Sequence, residues 1–360
     1  MTQKYDIEDL ILNYDPENPQ ERFLSAGLEG VAYAAGERLP GPVPWPEKTA
    51  PVAAPLSTIP AEDEDLTKFN GYDAVIMTWT VAEAVTLATL MSPGYSLSQW
   101  YQYRHNVNEY IPLVTGANAP FNDRKSERYY HSLGLYFPCR VGGARVLLIK
   151  SGLHLDKDGE NLPISLLIKD VIEAVRPTLF ITTGTGGGIG TDVFLGDVVI
   201  AGKTRFYCTK QFRNEPWKSA SYDTSPLPPG TLSAITPSLT KVNAAKIEGG
   251  RLIPEIWSGG EAVIVTTDFF GFDDSTNFYG LQGRGRTCDM GDAMVGQVLQ
   301  QYPKIKWYAI RNASDPQIPN PSGNIHEAEK VSAEIYVKYG ALTTAASVIA
   351  SWAVITTAFP

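Results

Sequence analysis

The sequence predicts an α/β fold: one domain built on a central mixed, mostly parallel sheet flanked by helices, preceded by an amino-terminal extension. One observation predicts it. From Tyr72 onward, short apolar runs of the buried-strand kind alternate with segments of helical spacing. Strands that alternate with helices imply parallel neighbours with both faces of the sheet covered. Such sheets place their ligands at the carboxyl ends of the strands.

Taken in order, residues 1–70 read as the extension and 71–360 as the domain. Helical patterns at Ile7–Leu12 and Glu21–Ala35 lead into LPGPVPWPEKTAPVAAPLSTIPAEDEDL. Its prolines predict an extended arm draped over the surface, outside any sheet or helix, with Trp45 pinning it to the body or to a second subunit. DAVIMTW (73–79) is a strand and VAEAVTLATLM (81–91) a helix. ARVLLIKSG (144–152) is a strand, and Ile164–Val175 a helix stopped at Arg176-Pro177. LFITTG (179–184), a glycine turn and the strand DVVIAG (197–202) follow. The strand AVIVTTDFF (262–270), a helix over Gly291–Leu299, the strand IKWYAIRNASD (305–315) and a long helix from about His326 complete the domain.

Composition narrows the function. The 360 residues are 43% hydrophobic and 19% charged, with a formal net charge of −9. That charge argues against a nucleic acid or an anionic membrane as partner. Cys139, Cys208 and Cys288 are too scattered for a disulfide framework or a metal knuckle. His105, His131, His154 and His326 lack ligand spacing, so no metal site is expected. The acidic amino terminus lacks the apolar core of a secretory signal. The uncharged stretch Ala341–Phe359 touches membrane-spanning length, but its six serines and threonines predict a buried last helix. A cytoplasmic location is the default expectation.

TTGTGGGIGTDVFLGDVVI (182–200) is the most distinctive segment. Four glycines in five positions free backbone N–H groups to approach an anion or a sugar hydroxyl. A dinucleotide loop is excluded, because Ile189 stands at the third glycine position and the segment opens a strand rather than a helix. No Walker lysine follows.

The segment resembles the "NTGSAGG…GD(V/I)V" stretch of the nucleoside phosphorylases and nucleosidases. Ser151-Gly152 is similar to their "SGIG", AVIVTTDFF to "ATGDAF", TCDMGDAMVGQVLQQY (287–302) to "VEMEAAAIAQV", and IRNASDPQ (310–317) to "IRAISDVA". The matches fall in the family's order, and DAVIMTWTVAEAV (73–85) sits where its first strand and helix belong. The resemblance implies a phosphorylase-like domain over residues 71–360, a small-molecule nucleoside as ligand, and association into homodimers or larger rings.

Cleaving an N-glycosidic bond needs a proton or hydrogen bond for the departing purine and a nucleophile delivered to an oxocarbenium-like sugar. A carboxyl group on each side suits that logic. The resemblance implies Asp315 as the acid at purine N7, oriented by Ser314, and Glu83 as the residue directing water; a one-residue shift in register would put Ala84 there instead. Phe270 is implied beside the base, and Met290 beneath the ribose. Gly184, Thr185, Gly186 and Gly187 would border the sugar and the nucleophile. The family glutamate that grips the ribose diol is replaced by Gly291, leaving Asp289 or Asp292 to substitute. The arginine that binds phosphate in the hexameric phosphorylases is also missing, since Thr182 and Thr185 occupy the corresponding places. Arg104 or Arg124 would have to return that cation. The expectation is therefore a nucleosidase without metal or organic cofactor. A phosphate-dependent phosphorylase, with phosphate as co-substrate, and a non-catalytic binding or storage relative stay open as alternatives.

Overall fold

The computed structural model describes residues 7–17, 42–115, 132–243, 247, 250, 251 and 253–360. The expected helix at Glu21–Ala35, together with Arg124 and His131, lies outside them. Eleven strands form one mixed sheet among the described residues. They are β1 (Pro51–Ala53), β2 (Ala74–Thr78), β3 (Tyr101–Tyr103), β4 (Gly134–Val141), β5 (Ala144–Ser151), β6 (Leu179–Gly188), β7 (Val198–Tyr207), β8 (Ser221–Asp223), β9 (Ile256–Thr267), β10 (Thr287–Asp289) and β11 (Lys306–Asp315). The helices are α1 (Ile7–Asn13), α2 (Val81–Met91), α3 (Val107–Tyr110), α4 (Pro163–Val175), α5 (Thr231–Asn243), α6 (Asp292–Leu299) and α7 (Ile325–Ala358).

The sheet is parallel in its middle, where β5, β2, β6 and β11 lie side by side. The pairs β4 on β5, β7 on β11 and β10 on β6 are antiparallel, whereas β9 runs parallel to β7 and β10. Because β11 pairs with both β6 and β7, the strands β6, β10, β9, β7 and β11 close into a ring. Closure removes exposed edges on that side. Two apolar clusters cover the faces. One packs α2 and α7 against Ile76, Leu148, Ile181 and Ile310. The other packs α4 and α6 against Val75, Leu147, Phe180 and Ala309. Neighbouring residues of one strand fall in different clusters, as the two-residue side-chain period requires. The α7 helix is long and apolar enough to cross a membrane, yet its apolar window is 78% buried inside the protein. It serves as a core helix.

Two local expectations are corrected. The proline-rich arm does join the sheet: Pro51–Ala53 pairs with β4. Proline is tolerated there because it opens a strand at the sheet's edge, where its missing N–H breaks no ladder. Trp45 does pin the arm to the body, packing against Trp352 with ring centroids 4.9 Å apart and the planes tilted by 43°. The glycine segment is likewise no turn. Gly184–Gly188 continues β6, pairing with β10 and β11. Glycine is needed because a Cβ at Gly186 would stand 2.9 Å from the Cys288 carbonyl oxygen.

Candidate active site

The carboxyl ends of β2, β6 and β11, with the segments after β5 and β9, surround one cavity, part of it open to solvent. Nine residues singled out from the sequence line it: Glu83, Thr185, Gly186, Gly187, Phe270, Asp289, Met290, Ser314 and Asp315. Gly184 and Asp292 lie behind the wall. Gly184 backs onto the Glu83 carboxyl, and Asp292 turns into an ion pair with Arg311.

Asp315 ends β11, and 6% of its surface is exposed. Ser314 Oγ donates to its Oδ1 at 2.9 Å, and Ser332 Oγ of α7 donates to Oδ2 at 3.1 Å. Burial pushes its pKa up to about 6, with the two hydroxyl donors holding it down. A carboxyl group so placed takes up a proton nearer neutral pH than an ordinary carboxylate does.

Glu83 is the third residue of α2 and completes a capping box with Thr80. Its Oε2 accepts from Thr78 Oγ1 (2.6 Å), Trp79 N (3.0 Å) and Thr80 N (2.9 Å). Its Oε1 accepts from Thr185 N (2.6 Å) and Thr185 Oγ1 (2.7 Å). Two carboxylate oxygens offer about four lone-pair sites, so Glu83 is saturated by the protein and ties the end of β2 to β6. The alternative position, Ala84, is buried in the apolar cluster under α2 and presents no carboxyl. Gly184 makes the Glu83 clasp possible: its φ is +151°, and an added Cβ would lie 2.3 Å from Glu83 Oε1. Gly184→Ala is therefore expected to destabilise the fold by about 1–3 kcal/mol. Gly143→Ala, where nothing stands within 4 Å, should be near neutral. Urea unfolding of the two variants checks this, and equal midpoints would remove the steric argument.

Behind Glu83 lies a buried charge cluster. Arg311 donates to Asp292 through Nε (2.9 Å) and Nη2 (2.6 Å). Its Nη2 lies 3.1 Å from Asp289 Oδ2, and its Nη1 3.6 Å from Glu83 Oε1. Three carboxylates thus surround one guanidinium. Burial, then the Asp292 charge, push Asp289 up to about 7, against the pull of Arg311. Asp289 also accepts from Thr266 Oγ1 and from the backbone N–H of Gly291 and Asp292. It caps the start of α6 while facing the cavity.

Several lining residues had no assigned role in the sequence: Ile11, Leu12, Trp79, Tyr336 and Cys288. Arg311, which the sequence offers as an anchor for a phosphate or a loop carboxylate or as a structural salt bridge, lines the cavity too and is held in ion pairs with buried carboxylates. His154, which follows the SGL strand end, lines the cavity as well, with its pKa lowered well below the usual value by burial and by Lys150 and Lys157. Trp79 fills the space at Gly291, where a Cβ would meet its ring at 2.9 Å. The indole lies beside Arg311, whose guanidinium carbon is 5.0 Å from the ring centroid. Arg104, one possible source of a phosphate cation, instead pairs with Glu62. No group of metal-ligating side chains occurs among the described residues.

Comparison with solved structures gives 5′-methylthioadenosine/S-adenosylhomocysteine nucleosidase from Helicobacter pylori, solved with butyl-thio-DADMe-Immucillin-A (TM-score 0.50, 14% identity, 79% of this chain and 98% of that one). Futalosine hydrolase of Helicobacter pylori strain 26695 matches with TM-score 0.49 and 13% identity over 79% of this chain and 97% of that one. The Neisseria meningitidis nucleosidase, with methylthio-immucillin-A, gives 0.46 and 16% over 79% and 98%. At 14% identity the likeness to the first of these is one of fold. No curated protein matches the sequence. The sequence profile of the phosphorylase superfamily matches residues 105–346, two thirds of the chain, including β6, β10, β11 and the Asp315 strand end. The chain belongs to the phosphorylase superfamily.

Proposed function

We propose that this chain hydrolyses the N-glycosidic bond of a purine nucleoside or a related nucleoside. The observation that carries the reading is convergence: Asp315, Phe270 and the glycines at the end of β6 face one cavity, although they come from three separate strand ends. In this reading Asp315 donates its proton to the departing base, and Phe270 packs against the base. The negative charge of Glu83 and Asp289 favours an oxocarbenium-like sugar. Glu83 acts on water through Thr185. The threonine hydroxyl donates to Glu83, stands beside the Tyr336 hydroxyl and keeps one lone pair to orient a water at the sugar.

Water is favoured over phosphate as the nucleophile because Arg311, the one arginine lining the cavity among the described residues, is already enclosed by three carboxylates. A phosphate dianion brought there would meet net negative charge. A second reading, binding without cleavage, draws on Trp79 filling the Gly291 space and on the saturation of Glu83 by protein donors. Incubation with a panel of purine nucleosides, with and without phosphate, separates the readings when the products are chromatographed. Free base and free sugar, in amounts indifferent to phosphate, are expected. A phosphate-dependent sugar 1-phosphate would establish phosphorolysis, and binding without base release would establish the second reading. If no nucleoside binds, the site assignment fails.

A further inference from the structure

The α1 helix lies ahead of the family-matched segment, which begins at residue 105, yet it forms a wall of the cavity. Ile11 and Leu12 line the site. Leu10, Ile11 and Tyr14 pack with Ala82 of α2 and Tyr336 and Val337 of α7. At its other end α1 reaches the segment after β5. Glu8 Oε2 lies 2.9 Å from Lys157 Nζ, and the Glu8 carboxyl stands beside the buried Asp156 carboxyl. Glu8 and Lys157 are both largely buried by this contact. The helix thus spans the cavity from α7 to the loop that also carries His154.

The reacting groups beneath are almost sealed. Glu83 is 1% exposed, and Thr185, Asp289 and Asp315 each no more than 8%. The opening to solvent leaves them this little surface, and a wall that moves would widen it for a nucleoside. The other walls are strand ends, the segments continuing directly from them, and the 34-residue α7. A seven-residue helix has no stability of its own in water. It is held by its contacts, which makes α1 the wall of lowest local stability.

We infer that α1 is the gate of the site: it swings clear to admit ligand and closes with Ile11 and Leu12 against it, with Glu8 as the latch. Burial and the Asp156 carboxyl push the Glu8 carboxyl up to about 9, which fits a proton held between the two acids when the latch is shut. The ligand contact rests on the nucleosidase reading; the gate itself does not.

The test therefore has two arms. Cys288 lies in the cavity wall beneath the gate, whereas Cys139 sits in the core packed by α2. Alkylation of the full chain with N-ethylmaleimide, followed by peptide mass analysis, reads the two thiols separately. Glu8→Ala is expected to speed Cys288 modification about tenfold, the effect of losing one charge-assisted contact, and to leave Cys139 unchanged. An unaltered Cys288 rate overturns the gate, and so does an equal acceleration of Cys139, which would mark general loosening. In the second arm, the double variant Ile11→Ala/Leu12→Ala is expected to bind adenosine about tenfold more weakly by calorimetry. Equal affinity overturns the ligand contact. Should adenosine not bind even the unaltered chain, the nucleosidase reading falls while the Cys288 arm still decides the gate.

Discussion

Arg311→Met is expected to lower folding stability by about 3–5 kcal/mol, the usual cost of removing one partner from a buried ion pair. The guanidinium is 3% exposed and sits within 3.6 Å of Glu83, Asp289 and Asp292. Without it three carboxylates remain in a low-dielectric pocket with no counter-charge. They can answer only by taking up protons or by drawing water into the core. Asp289 responds first, since burial and Asp292 already raise its pKa to about 7 and Arg311 is the charge that holds it down. The variant should therefore be less impaired at pH 5, where the carboxylates protonate more readily, than at pH 8. Arg311→Lys keeps a charge but loses the planar fork that grips Asp292 through two nitrogens. It should fall between the two. Urea unfolding at both pH values reads the difference, and a loss below about 1 kcal/mol would mean that the cluster is not a buried electrostatic unit.

The same cluster explains what the sequence reveals and what it hides. Strand and helix positions were legible because they are local: the apolar run at 73–79, the helical spacing at 81–91 and the stop at Arg176-Pro177 need no knowledge of distant residues. The observed β2, α2 and α4 follow them closely. Asp315 was legible as a strand-end carboxyl inside a motif. Thr80 and Glu83 even carry the local capping-box pattern. What that pattern cannot say is that Glu83 also reaches Thr185, 102 residues away, and so exhausts its hydrogen-bonding capacity. Nor can spacing tell which of Asp289 and Asp292 faces the cavity and which turns back to Arg311. The α1 helix is the clearest case of a hidden position. Its short pattern is visible at Ile7–Leu12, but its place over the site depends on packing against Tyr336 and Val337, more than three hundred residues later. The edge strand β1 is hidden because proline reads as a breaker, when at an edge it breaks nothing.

Asp315→Asn is expected to lower the rate of base release by about 10²–10⁴-fold, the range for losing a positioned general acid, while purine binding persists. Asparagine keeps the shape of the side chain but cannot give up a proton at the rate the reaction needs. Ser314 and Ser332 donate to the two oxygens of Asp315. The new amide has one acceptor and one donor group, so one serine hydroxyl must rotate to accept, and the side chain stays anchored. That makes the loss a test of chemistry more than of folding. The pH dependence supplies an independent sign. As an acid Asp315 works protonated, so with its pKa raised to about 6 the rate of the unaltered protein should decline as pH climbs past that value. In Asp315→Asn this limb should vanish. The linkage runs the same way for stability. A carboxyl group whose folded pKa lies above its ordinary value of 3.8 gives full stability below that ordinary value, and loses it as pH rises through the folded one. The Asp315 contribution to folding should therefore weaken between about pH 4 and pH 6, and Asp315→Asn should flatten that part of the stability profile. If Asp315→Asn releases base at the unaltered rate with the alkaline limb intact, the proton comes from elsewhere. The convergence of Asp315 and Phe270 on one cavity would then describe a binding site whose chemistry belongs to another group.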